Sequence, residues 1–422
     1  MMKSITVQND VSLCGSYDVI VAGGGVAGVA AAVAARRMGK SVLLLEKAVS
    51  LGGLATIGLI NLFVPMCNGR GVQIIKGMAE EFLRLAIKDG YDTIPDEWKN
   101  GEPGKGAKTR YLTKFSAPIF SLELTELLQN EKADILYDTV VSEPVMDGGH
   151  CCGLIVENKS GREYYEGKVV IDTTGDADVL YRAGVPTQQG GNYYTMLSMA
   201  TNLENMKNAV DCGDVSKAYT WFNGGKANLY GGGHPEGMPK FEGTTVNSVT
   251  DFIIKNHLDT LKAVRKADRK TADIVMLPGM AQFRTTRCLV GDKVFDMDDA
   301  YKHCDDSIGA ICDFERKDYL FEVPFGVLVK TGYDNLITAG RTASAKLGYS
   351  WDILRVIPPA IITGQAAGTA AALSIDSGKP VYGVDVLSLQ QKLEQGGVML
   401  HFDDSLIPDK EADDVRMDIG HM

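Results

Sequence analysis

Gly23, Gly25 and Gly28, followed by Glu46, are the residues whose types and spacing most directly imply chemistry. In a G-x-G-x-x-G run the first glycine allows a sharp turn, and the second lets backbone approach a pyrophosphate. The third lets a helix pack closely on the strand before it. An acid about twenty residues further on is placed to accept hydrogen bonds from ribose hydroxyls. Arg284 and Arg287, in AQFRTTR, set two guanidinium groups three residues apart. Arginine grips carboxylates through paired hydrogen bonds, so either is suited to hold an anionic or polyhydroxy substrate; the plainer alternative is an ion pair within the protein. His234, in GGGHPEG, puts an imidazole on a glycine-rich loop able to close on a substrate.

The glycine run has the flanking elements that such a site requires. Residues 17–22 are a short apolar run suited to a buried parallel strand. Residues 29–38 are alanine-rich and predict a helix whose first N–H groups face the phosphates. Residues 41–45 predict the second strand, with Glu46 at its end. The negative charge there disfavours a 2′-phosphate and so argues against NADP, leaving FAD and NAD open on this turn alone.

Further along, the pattern predicts a helix near 73–86, an exposed loop over 91–108, a helix over 120–130 and a strand over 134–141. Asp-Gly-Gly at 147–149 predicts a hairpin, with 162–170 returning as a small antiparallel unit and 169–174 as another buried strand. From 190 to 322 the pattern turns irregular, with glycine clusters and a long amphipathic piece over 246–267. The α/β pattern resumes with a strand at 335–340 and an apolar helix at 358–374, and residues from 410 onward read as a polar surface tail. These shifts predict three segments: 1–189 and 323–422 as two parts of one domain, and 190–322 as an inserted substrate or cap domain.

Composition limits the partners. The chain has 422 residues and a net charge of −11, the opposite of the lysine and arginine excess that a nucleic-acid surface needs. No apolar stretch approaches a membrane span, and the first residues lack the apolar core of a secretory signal, so no membrane partner and a cytoplasmic location are expected. The eight cysteines show no C-x-x-C spacing, and His303 neighbours Cys304 without metal-ligand spacing, so no metal site is expected. Tyr349 and Trp351 lie between two motifs and are candidates to pack against a cofactor ring, with core packing as the equal alternative.

Four further motifs choose between FAD and NAD. GGLAT at 52–56 allows the chain to pass close over a long extended cofactor. DTTGDAD at 172–178 resembles the segment that covers the adenosine half of FAD, and NLITAGR at 335–341 resembles the one that holds its ribityl chain. RVIPP at 355–359 opens a helix containing GQAAG, whose positive end would stabilise a reduced flavin. Together with FRTTR, the set resembles the bacterial FAD-dependent oxidoreductase family, itself similar to the glutathione reductase and fumarate reductase flavoproteins, over residues 18 to about 373.

The resemblance implies an α/β fold: a Rossmann-like FAD-binding domain, with a parallel central sheet plus a small antiparallel sheet, and an inserted α+β substrate or cap domain. It implies FAD contacts at Gly23, Gly25, Val26, Ala27, Gly28, Glu46, Lys47, Gly53, Ala55, Thr56, Val141, Thr174, Gly175, Gly340, Arg341 and Pro358. Where many relatives have Gly-Asp this chain has Gly340-Arg341, a donor suited to a phosphate or an anionic flavin edge. The expected activity is hydride transfer between a small-molecule substrate and flavin, with the electron acceptor unassigned and a homo-oligomer as a possible assembly. A biosynthetic or RNA-modifying flavoprotein and a flavin-binding electron-transfer subunit are the alternatives. The absence of a second G-x-G-x-x-G unit argues against an internal NAD(P)H domain.

Overall fold

β1 (Ser12–Ala22) ends in Val19, Ile20, Val21 and Ala22, all fully buried, and then turns through the glycines into α1 (Val26–Arg37). The structure, a computed structural model, describes residues 8, 10–99, 103, 107, 109–228 and 230–409. α1 buries every residue from Val26 to Ala35, so it is apolar all round and lies between layers rather than on the surface. The chain then returns through β2 (Val42–Leu45), parallel to β1 with Val19 opposite Val42.

Next comes a satellite of the core. The two-residue strand β3 (Leu62–Phe63), α2 (Met78–Lys88), strand β4 (Thr113–Lys114) and α3 (Ala117–Asn130) bring Phe63, Phe82, Phe115 and Phe120 together edge to face. α2 begins later than the apolar period suggests. Gln73 donates to the Ile75 carbonyl and Gly77 adopts a positive φ of 67°, so the chain does not enter the helix until Met78. α3 begins earlier than expected, with proline in its first turn, where its missing N–H costs nothing. Of the segment expected as a loop, residues 100–102, 104–106 and 108 lie outside the described residues, as does the tail from 410.

The run expected as one strand at 134–141 is two, β5 (Asp134–Leu136) and β6 (Val140–Asp147), because Asp138 turns the chain with a φ of 50°. β6 and β7 (His150–Asn158) form the predicted hairpin. The two runs expected at 162–170 and 169–174 are one strand, β8 (Gly161–Asp172). It runs parallel to β1 from Glu163 to Asp172, and its first half also pairs antiparallel with β7 on the other edge, so one strand joins the two sheet types.

After α4 (Asp178–Arg182) and β9 (Thr187–Gln189), a second unit begins. It consists of β10 (Leu197–Asn202), α5 (Leu203–Cys212), β11 (Thr220–Asn223), α6 (Val246–Val264) and β12 (Ala272–Met276), with the three strands in the order β11-β10-β12. Its own core contains Tyr194, Met196, Phe241, Phe252 and Phe283. The expected boundary at 322 falls inside a strand. β13 (Arg287–Leu289) pairs with β9, and the hairpin β14 (Ser307–Cys312) and β15 (Leu320–Pro324) packs Ile308, Ile311 and Phe321 into the main core. By packing, the second unit therefore gives way to the main core near Arg287.

β16 (Leu336–Thr338) pairs with β8, completing a seven-stranded sheet in which β5, β2, β1, β8 and β16 are parallel neighbours. α7 (Tyr349–Leu354), α8 (Ile357–Ser377) and α9 (Val386–Gln395) close the fold. This is the expected α/β architecture. Among the described residues no helix is long and apolar enough to cross a membrane.

α8 approaches α1 at backbone distance because Gly364 and Gly368 face it. A Cβ at Gly364 would sit 2.2 Å from the Ala27 carbonyl oxygen, and one at Gly368 would sit 2.1 Å from that of Ala31. Neither neighbour is a flexible side chain. Gly368→Ala is therefore expected to destabilise by about 1–3 kcal/mol, the usual cost of overpacking a filled core, read as a lower urea midpoint with an unchanged slope.

Candidate functional site

The carboxyl ends of β1, β2, β8 and β16 open into one cleft, as expected for a parallel sheet where helices leave from both faces. It encloses about 1090 Å³ open to solvent, lined by the glycine turn, Glu46, the 173–175 turn, Gly340 and the start of α8. Gly23 makes the turn at a φ of 111°, and a Cβ there would lie 2.5 Å from the Thr173 carbonyl oxygen. Gly25 has open space where a Cβ would stand. The N–H groups of α1's first turn have no intrahelical acceptor, and no side chain caps them. The cleft is thus presented with backbone donors and a helix N-terminus, which suit an anionic diphosphate.

Glu46 is buried, and both its oxygens hold backbone: Oε2 accepts from Gly24 N at 2.6 Å and Oε1 from Ala48 N at 2.7 Å. Burial raises its carboxyl above the ordinary range, against the pull of those two donors. The acid therefore ties the end of β2 to the glycine turn. Each oxygen retains a second lone pair for a ligand hydroxyl.

Thirteen of the sixteen residues expected at the cofactor line this cleft: Gly23, Gly25, Val26, Ala27, Glu46, Lys47, Gly53, Ala55, Val141, Thr174, Gly175, Gly340 and Arg341. Three do not. Gly28 lies beneath the turn, where a Cβ would meet the Gly23 carbonyl oxygen at 1.9 Å. Thr56 is buried, and its hydroxyl donates to the Leu51 carbonyl at 2.5 Å. Pro358 is packed inside α8, while its neighbours Ile357 and Ala360 face the cleft.

The arginines take unequal parts. Arg341, read from sequence as a donor for a phosphate or flavin edge, is committed to protein: Nε donates to the Gly175 carbonyl at 2.5 Å, another nitrogen to that of Phe283, and Nη2 to Asp176 Oδ1 at 2.9 Å. Burial lowers its pKa, with Asp176 opposing the shift. Arg287 is similarly engaged, paired with Asp178 at 2.8 Å and lying 4.2 Å over the Tyr181 ring. Thr286 also donates to Asp176, so the DTTGDAD, FRTTR and GRTASA motifs meet in one network.

Arg284 differs. Its backbone N–H is held at 2.6 Å by Asn192 Oδ1, yet its guanidinium has no hydrogen-bond acceptor among the described residues. Arg284 is not itself among the cleft-lining residues; it lies within electrostatic reach of Arg355, which is one of them, and of Asp352. Burial and the like charge of Arg355 pull its pKa down to about 10, with Asp352 opposing. Arg355 in turn donates to Asp352 through Nε at 2.8 Å and Nη2 at 2.6 Å. Asp352 is thus already paired with Arg355, and no ion pair joins it to Arg284 among the described residues.

His234 is not among the cleft residues. Its Nδ1 accepts from Tyr194 N at 3.1 Å and its Nε2 donates to the Met238 carbonyl at 3.0 Å, so both nitrogens hold the loop. Trp351 is buried and donates to the Arg341 carbonyl, and Tyr349 donates to Asp313, so both pack within the protein. Sequence reasoning missed Arg355, Asp352, Met280 and Thr139. Arg355 opens the RVIPP motif, three residues before its first proline, and its charge was the available signal.

The turn after β8 depends on Asp172, fully buried, whose carboxylate accepts from Thr174 N, Thr174 Oγ1 and Leu180 N. Burial pushes its pKa up to about 6 despite those donors. Asp172 lies beneath the cleft rather than in it.

Residues 18–236 and 270–393 match the model of the family described as FAD dependent oxidoreductase. Among curated proteins, the chain is 31% identical over 166 residues to the tRNA uridine 5-carboxymethylaminomethyl modification enzyme MnmG of Streptococcus gordonii, covering 38% of this chain and 24% of that one. It is 31% identical over 190 residues to the protein of the same name from Bacillus thuringiensis, covering 42% and 28%. The chain thus spans about a quarter of the length of these relatives. Among solved structures, p-nitrophenol 4-monooxygenase PnpA from Pseudomonas putida aligns with a TM-score of 0.48 at 14% identity, covering 93% of this chain and 91% of that one.

A pH experiment isolates Asp172. Because its folded pKa lies above the unfolded value of about 4, its contribution to stability is full below that value. It is lost as the pH rises through about 6. Asp172→Asn turns one amide donor toward a backbone N–H and is less stable throughout. The wild-type advantage in urea midpoint is expected to narrow between these two pH values; parallel curves would refute the assignment.

Proposed function

This chain belongs to the FAD dependent oxidoreductase family, and from that premise we propose that it transfers a hydride between FAD and a small organic anion seated at Arg284 and Arg355. It is an enzyme whose cofactor is FAD. The cleft suits that group: an uncapped helix N-terminus, the open space at Gly25, and a buried acid beside the turn. In this reading Gly23, Gly25, Val26 and Ala27 hold the diphosphate, with Gly28 allowing the close turn beneath it. Glu46 and Lys47 meet the adenosine end, and Gly340 with the start of α8 meets the flavin end. FAD supplies the hydride acceptor, and the protein supplies binding and orientation.

The observation that carries the substrate class is the unmatched guanidinium of Arg284. A partly buried cation near a second cation is unfavourable without an anion, and the neighbouring carboxylate, Asp352, is already paired with Arg355. A substrate carboxylate would restore the balance and accept paired hydrogen bonds from Arg284. Asn192 fixes the Arg284 backbone through a buried amide that also donates to the Phe241 and Thr285 carbonyls, so the site is built before substrate arrives. Met280 and Ile57 supply apolar cleft wall on which a carbon skeleton can rest. The RNA-modifying alternative draws on the tRNA chemistry in the relatives' names, and the net charge of −11 counts against it.

Anaerobic bleaching of the bound flavin by hydroxy and unsaturated acids, each paired with its neutral amide, tests the reading. The acids are expected to react and the amides to fail. Arg284→Ala is expected to raise the half-saturating acid concentration about 10- to 100-fold, the worth of a charged hydrogen bond, with the flavin spectrum unchanged. Equal reaction of acids and amides, or an Arg284→Ala enzyme with wild-type saturation, would overturn it.

A further inference from the structure

His303, Glu322 and His401 are separated by 19 and 79 residues, yet their side chains converge outside the flavin cleft. Glu322 lies on β15, opposite Ala310 of β14, with its side chain 0% exposed. His303 Nδ1 stands 2.5 Å from Glu322 Oε1, and His401 Nδ1 stands 2.9 Å from Oε2. One ligand atom from each of the three lies within 4.8 Å of the other two.

The groups are held in place by their surroundings. The segment carrying His401 is strapped to the hairpin by Ala310 N donating to the Met399 carbonyl at 2.7 Å and Ser307 Oγ to that of Leu400 at 2.6 Å. The His303 ring stacks on Phe402 with centroids 4.7 Å apart. Its Nε2 meets Asp404 Oδ1 at 2.7 Å. Cys304 N donates to Glu322 Oε2 at 2.8 Å, giving the buried carboxylate a further fixed partner.

We propose that His303 Nδ1, Glu322 and His401 Nδ1 bind one divalent transition-metal ion of the zinc class. Two imidazoles and one carboxylate form a donor set that zinc favours. Asp404 stands where a metal-ligating histidine usually finds a carboxylate: it accepts the N–H of the far ring nitrogen and leaves the near one to ligate. Zinc bonds of about 2.0–2.1 Å in tetrahedral geometry place ligand atoms roughly 3.3 Å apart, so the two close contacts need widen by less than about 1 Å. Both imidazoles are half exposed, 44% and 47%, while the glutamate is buried, which leaves a solvent side for entry and a water ligand. The ion would staple the C-terminal segment to the β14–β15 hairpin. The site is independent of the substrate reading above.

The test uses the full-length, flavin-loaded protein without a histidine tag, freed of metal with a chelator and titrated with Zn²⁺ by calorimetry near neutral pH. Co²⁺ serves as a visible probe of coordination. One equivalent is expected to bind, with a raised Tm, tetrahedral Co²⁺ bands and no change in the flavin spectrum. His303→Ala and Glu322→Gln are expected to abolish that equivalent. Asp404→Asn, at the rim of the site, is expected to weaken it about 10- to 100-fold. Failure of the wild type to bind a stoichiometric ion would overturn the proposal and leave a proton-bridged ion-pair triad. Binding that persists unchanged in all three variants would overturn it as well, placing the ion elsewhere.

Discussion

Close seating of α1's first turn against α8 and Gly340 is the interaction on which the rest of the structure depends. A Cβ at Gly364 would strike the Ala27 carbonyl oxygen at 2.2 Å, and a Cβ at Gly340 would approach the Ala27 side chain to 2.8 Å. Ala27 is therefore a shared contact for two segments more than three hundred residues away. Small residues on both sides let the backbones meet, and helices at that distance cannot slide without opening voids. The N-terminal ends of α1 and α8 consequently face the same cleft.

A polar network on the opposite wall complements that apolar seam. Arg341 joins the turn after β8 to the Phe283 carbonyl of the second unit, and Arg287 joins β13 to Asp178 at the start of α4. Such buried pairs add little net stability, because desolvation offsets much of their attraction. Their effect is geometric: Arg341 requires three acceptors in a fixed arrangement, and Arg287 one carboxylate and the Tyr181 ring face, which fixes how the second unit docks. Arg284 stands in the same motif, and its guanidinium makes no such bonds among the described residues.

Much of the cofactor half was legible in the sequence because its signals are local. Gly23, Gly25 and Gly28 act through backbone conformation and close approach, which adjacent residues determine; the strand, turn and helix around them occur in the expected order, with β1 beginning at Ser12 rather than 17 and α1 at Val26 rather than 29. The division of residues 134–141 was not legible, since Asp138 adopts a positive φ that its type permits but does not demand. Nor was the boundary of the second unit. The β14–β15 hairpin has the composition of any buried hairpin, and only its packing against the main core shows where it belongs.

The sequence by itself determined a dinucleotide site, the α/β architecture and the order of its principal elements, because glycine spacing, apolar period and helix-start prolines act over one or two turns of chain; the choice of FAD rested on the resemblance of its later motifs to a flavoprotein family. Tertiary structure alone decided which arginine stays uncommitted, that both nitrogens of His234 are occupied, and that His303, Glu322 and His401 share one point in space. The physical reason is range. A side chain's hydrogen-bond partners and field are set by groups within a few ångströms, and in a folded chain most of those come from distant sequence.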